Sequence, residues 1–205
     1  MQVVPEIIKP IKLLSGSHAD TATTGQGCFM NVIAYLNGES QITDQSPCVR
    51  ITARHMAIRL NDLGTDEQRQ RLLPFVMRAM GSATMDKDIL NRDRGRLRQY
   101  GAECQEIINA WRAEMKAAYA NAYAYANAYA YANAYANAYA YADAYADAYA
   151  YAYADAKRFA YAKRDELKAK LFDAGLRYLD DILPPADVPT SAILERAAKL
   201  CELAV

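Results

Sequence analysis

The chain has 205 residues and no net charge, with 24 basic and 24 acidic side chains. That balance excludes a general nucleic-acid or membrane-surface binder, which needs an excess of one sign. No run of about 20 apolar residues is free of polar ones, as a membrane span would require. The N-terminus, MQVVPEIIKPIKLL, has no basic n-region and no cleavage signal, so it does not read as a signal peptide. Cys28, Cys48, Cys104 and Cys201 lack the paired spacing of a metal site. In a reducing cytosol they are expected as free thiols. Neither a phosphate-binding glycine loop nor a Gly-x-Ser-x-Gly elbow occurs. These absences predict a soluble cytoplasmic protein without cofactor or metal, and more readily a non-enzyme than an enzyme.

What the chain has in excess is alanine and tyrosine. From Ala118 to Ala156 every even position is Ala, and the odd positions hold twelve Tyr, four Asn and three Asp. Without this tract the hydrophobic share falls from 53% to roughly 46%, ordinary for a globular domain. Strict alternation is nominally a strand signal. A strand of that length is far outside the usual range, and the tract contains no Gly or Pro to turn a meander. Alanine is the best helix former and both flanks have helical periodicity, so the tract is predicted to be helix. It would span about 58 Å as one rod.

Residues two apart on a helix differ by 200°, so the tyrosines cannot share a face. The tract shows no heptad and is not a heptad coiled coil. A rod with no hydrophilic face needs a cover, from this chain or from another. Tyr119, Tyr123, Tyr125, Tyr129, Tyr131, Tyr135, Tyr139, Tyr141, Tyr145 and Tyr149 are therefore the candidate interaction surface. The plainer explanation is a repeat expansion, tolerated because Ala continues the helix.

The flanks predict a mainly α fold: a helical domain over 1–95, a long helical segment over 96–183 that is one helix or a hairpin, and a closing helix over 184–205. A short strand is expected within Val3–Leu14. Cys28–Leu36 forms a helix with Thr23 or Thr24 as N-cap and Gly38 at its C-terminal end. Residues 49–62 form a second, with Val49, Ala53, Met56, Leu60 and Leu63 on one face and His55 half-buried. Thr65-Asp66-Glu67-Gln68 is a capping box opening a third helix, which Pro74 should kink. Thr84 caps a shorter helix to about Arg94, and a long pattern follows Gly95. Pro189-Thr190-Ser191 opens the last. Arg92, Arg94, Arg96 and Arg98 spread round the helix axis, diluted by Asp93, and read as a solvated surface.

His18, Cys28, Asp44 and Cys48 are weak candidates for chemistry. A Cys, a His and an Asp can make an activated thiol, and the same types ligate zinc. Their intervals support neither, and a buried inert Cys28 is the simpler reading. Ser15-Gly16-Ser17-His18, Gly27-Cys28-Phe29-Met30, Ala34-Tyr35-Leu36-Asn37-Gly38-Glu39 and Asp44-Gln45-Ser46-Pro47-Cys48 together resemble a family of uncharacterised bacterial and phage proteins. Its members carry an SGSH…GxCxMEAVAYxAGE…SDHPxC pattern, and many have a long Ala-rich tract. The resemblance implies a helical tract and brings no activity or catalytic residue. Asn31 stands where Glu is usual, and Gln45 where the pattern has His, which removes an imidazole from any site in that loop.

Three functions are compatible with these features. The leading one is a structural or interaction protein whose Ala/Tyr helix mediates self-assembly, as a homo-oligomer, or docking of a protein partner. The second is a small-molecule-binding or sequestering regulatory protein of phage or bacterial origin. The third is a thiol or metal enzyme using His18, Cys28 and Asp44.

Overall fold

A computed structural model describes the chain over residues 11–136 and 141–203, with side chains described outside 130–147 and 149. The fold is mainly α, as the sequence predicts. Residues up to Ala102 and from Phe172 onward form one compact unit, and Glu103–Leu171 form another. The boundaries expected after residues 95 and 183 do not coincide with this division.

In the first unit, β1 (Lys12–Leu13) pairs in parallel with β2 (Gln26–Gly27), with Lys12 opposite Gln26. β1 falls within the Val3–Leu14 stretch where a short strand is expected, of which residues 3–10 lie outside the described residues. Between the two lies a single turn, α1 (Thr21–Thr24). Gly27 is there for space: a Cβ would stand 2.3 Å from Thr21 Oγ1.

The next helix, α2 (Phe29–Asn37), is the centre of the core and packs against α3 (Ile51–Leu63), α5 (Leu73–Ala79) and α8 (Ser191–Leu203). Phe29, Met30, Val32, Ile33 and Leu36 are fully buried. Its N-cap is neither Thr23 nor Thr24 but Cys28, whose Sγ accepts from the Asn31 N–H. Those threonines close α1 instead, with hydroxyls donating to the Asp20 carbonyl. Gly38 ends α2 with φ 76°, as expected for a left-handed C′ residue. Arg196 Nε, from α8, donates to the Leu36 carbonyl there at 2.7 Å.

On α3, Ala53, Met56 and Leu60 turn inward, but Leu63 is 72% exposed and His55 lies on the exposed face. Leu63 is the last residue of α3, next to its C-cap Gly64, and the chain turns away there before anything covers it. Thr65 and Gln68 form the predicted capping box. The helix it opens is only α4 (Asp66–Gln70). Pro74 does not kink one long helix; it sits in the first turn of a separate one, α5, where its missing N–H is not needed.

The helix expected to stop near Arg94 does not stop. Asp86 Oδ1 accepts the N–H groups of Asp88 and Ile89, and α6 runs continuously over Lys87–Ala136, through Gly95 and Gly101. Thr84 acts one turn earlier, accepting from Asp86 N–H. Asp93 is fully buried rather than a diluting surface charge, while Arg92, Arg94, Arg96 and Arg98 are exposed as expected. The remaining long helix, α7, is Tyr141–Ile182. Thr190 caps α8, which buries Ala197 and Leu200 but leaves Leu194 and Leu203 partly exposed.

Candidate functional site

The second unit is built from α6 and α7. Ala126 packs with Ala148 and Ala152, and Glu114 pairs with Lys163 at 3.3 Å. Contacts that climb α6 therefore descend α7, which is the geometry of an antiparallel helical hairpin.

The seam follows a pattern that a search for heptads misses. In α6, Cys104, Ile108, Trp111, Met115, Tyr119, Ala122 and Ala126 are all buried or half-buried. In α7, so are Ala148, Ala152, Ala156, Ala160, Lys163, Leu167 and Leu171. These positions advance by fours and threes and recur every eleven residues, as in 104, 115 and 126 or 152 and 163. Eleven residues turn the helix by about 20° beyond three full turns, so such a stripe stays nearly straight along the axis. The tract joins it because alanines four apart drift by only about 40°. Ala148, Ala152, Ala156 and Ala160 thus share one face despite the alternation. The tyrosines share no face, as expected, but the alanines do, and they are core material for this hairpin. Each buried methyl contributes only about 0.8 kcal/mol, so the alanine part of the seam is thin.

The tyrosines fall on both sides of this seam. Tyr119 lies on the stripe and is half-buried. Tyr123, Tyr125 and Tyr129 are exposed, Tyr125 by 74%. Tyr151, Tyr153 and Tyr161 are exposed as well, and Phe159 adds a further ring. Tyr151 and Tyr153 were not among the expected surface residues, although they belong to the same repeat. The side chains of Tyr131, Tyr135, Tyr139, Tyr141, Tyr145 and Tyr149 lie outside those described.

The candidate chemical residues are placed by the first unit. Cys28 is 4% exposed, and burial pushes its thiol up to about 11 despite N–H groups of Asn31 and Met30 nearby. A thiol held protonated at neutral pH is not an activated nucleophile. His18 uses Nε2 on the Ser15 carbonyl at 2.8 Å, and its backbone N–H donates to Asn31 Oδ1 at 2.7 Å. Cys28 and Asp44 do come together, lining a cavity of about 40 Å³ with Asn61 and Asp62; His18 is not part of that lining. Cys48 contacts Ser46 Oγ at 3.1 Å, and Ser46 donates to Glu39. None of the four cysteines is in a disulfide. Among the described residues no group of three or more His, Cys, Asp or Glu could hold a metal.

Several of these motif residues make hydrogen bonds that join separate elements of the fold. Asn31 bridges to the 15–18 turn. Asn61 accepts from the Phe29 N–H and donates to the Leu14 carbonyl, joining α3 to both α2 and β1. Gln70 exchanges two hydrogen bonds with the backbone of Leu13, as a neighbouring strand would. Sequence reasoning had no signal for these pairings, which join residues 13 to 57 positions apart. Among the described residues no helix is long and apolar enough to cross a membrane. Comparison of the chain with protein-family profiles, with curated proteins and with solved structures finds no match.

Proposed function

We propose that this is an interaction protein, in which the Ala/Tyr hairpin presents tyrosines to a second copy of the chain or to a protein partner. The observation that supports it is the division of labour along the tract. Alanine makes the contact between α6 and α7, which leaves Tyr123, Tyr125, Tyr129, Tyr151 and Tyr153 exposed on the outside. Tyrosine offers a large amphipathic contact at low entropic cost, since few torsions are frozen on binding.

The test is light scattering across a concentration series. The mass is expected to rise above 22.8 kDa with concentration. A variant with those five tyrosines replaced by Gln should keep its helical circular dichroism and stay monomeric. A wild-type chain that is monomeric from micromolar to millimolar concentration, and that captures no partner through these residues, leaves the tract as an inert expansion.

A further inference from the structure

A cavity of about 260 Å³ opens between α6 and α7, away from the alanine seam. Ile107, Ala110, Trp111 and Leu167 give it an apolar wall. Its volume is just below the usual range for small-ligand sites, about 300–1,000 Å³. The Trp111 Nε1–H is shut off from solvent and has no acceptor among the described residues. What the indole offers the cavity is therefore its ring, and an indole face attracts cations more strongly than any other aromatic side chain.

The rim carries charge. Glu106, Glu114, Glu166 and Lys170 line it. Glu166 pairs with Lys163 at 2.7 Å and Lys170 at 2.8 Å, and these ammoniums hold its carboxyl down to about 2. Glu114 shares Lys163 at 3.3 Å. Glu106 makes no ion pair among the described residues. Three carboxylates thus face two ammoniums, and the cavity is left one negative charge in excess.

We infer that this cavity is a binding site for a monovalent organic cation with an apolar body, such as an arylalkylamine, seated against the Trp111 ring with its charge toward Glu106. An anion would meet the excess carboxylate. A neutral ring would gain the wall but not the rim.

Trp111 is the only tryptophan, so its fluorescence reports the site directly. The experiment titrates the full chain with phenethylamine, and separately with 2-phenylethanol and phenylacetate as neutral and anionic isosteres. Saturable change in Trp111 emission is expected with the amine, weaker binding with the alcohol and none with the acid. Glu106→Gln should weaken the amine about threefold to fivefold, as for a solvent-facing ion pair, and the same weakening should appear on adding salt. Ala110→Leu, which adds bulk to the cavity wall, should abolish the response while leaving the helical signal intact. Equal binding of all three compounds, or amine binding unchanged in Glu106→Gln and in Ala110→Leu, overturns the inference. No response of the wild-type chain to phenethylamine overturns it also.

Discussion

Replacing Asp93 by Ala should strand a buried cation. Asp93 is fully buried and Arg50 is 5% exposed. Arg50 Nη1 donates to both carboxylate oxygens at 3.2 Å and to the Ile182 carbonyl at 2.6 Å, while its Nε donates to the Ser82 carbonyl. Thr52 Oγ1 donates to Asp93 Oδ2 at 2.9 Å. The network ties the start of α3 to α6 and to the end of α7. Removing one member of a buried pair typically costs about 3–5 kcal/mol, because the partner keeps its charge without compensation. Against a total stability of about 5–15 kcal/mol for a domain, that is a large fraction. At about 2–4 °C per kcal/mol, the melting temperature should fall by about 6–20 °C. Removing both charges together, as Arg50→Met with Asp93→Ala, should cost less, about 1–3 kcal/mol, chiefly from the Ser82 and Ile182 carbonyls left without a donor. Urea melts of wild type, both singles and the double, followed by circular dichroism, close the cycle. A loss below about 1 kcal/mol for Asp93→Ala, or a double variant no better than that single, would refute this reasoning.

Two further predictions concern burial. Burial pushes the Cys28 thiol up from its ordinary value of 9.0 to about 11 in the folded chain. The unfolded state therefore releases its proton first as pH rises, and stability should fall between about pH 9 and 11, by about 1.4 kcal/mol per unit, and not below that window. Cys28→Ala should lack this alkaline slope, and native Cys28 should resist a thiol reagent that labels it in urea. In the hairpin, Ala126→Leu overfills the seam and should cost about 1–3 kcal/mol, whereas Ala124→Leu, on the exposed side, should stay within about 0.5 kcal/mol. Equal effects in thermal melts would mean that the seam is not where the alanines put it.

Local rules carried well where partners are close in sequence. The Thr65–Gln68 box and Gly38 satisfy helix ends within a few residues, so their letters suffice. Pro74 and Gly95 show where such rules compete. Proline is equally at home in a first turn, and a glycine costs a helix only about 1 kcal/mol, which the rest of α6 outweighs. The stripe of the hairpin was present in the letters all along; it repeats every eleven residues rather than seven, and the alternation of the tract hides it. Among the candidate site residues, the thiol of Cys28 was legible as a buried one, while its place as the α2 N-cap was not.

The letters alone settle that the chain is helical, that it bears no net charge, and that its tract is a helix of alanines carrying tyrosines. Those follow from propensity and counting, which act residue by residue. Packing between distant segments sets the rest: that the tract contributes to two antiparallel helices, which alanines meet across the seam, which of the described tyrosines stay outside, and that Asp93 lies inside against Arg50. Each of these depends on a partner tens of residues away, and a side chain's burial is set by that partner and not by its neighbours in the chain.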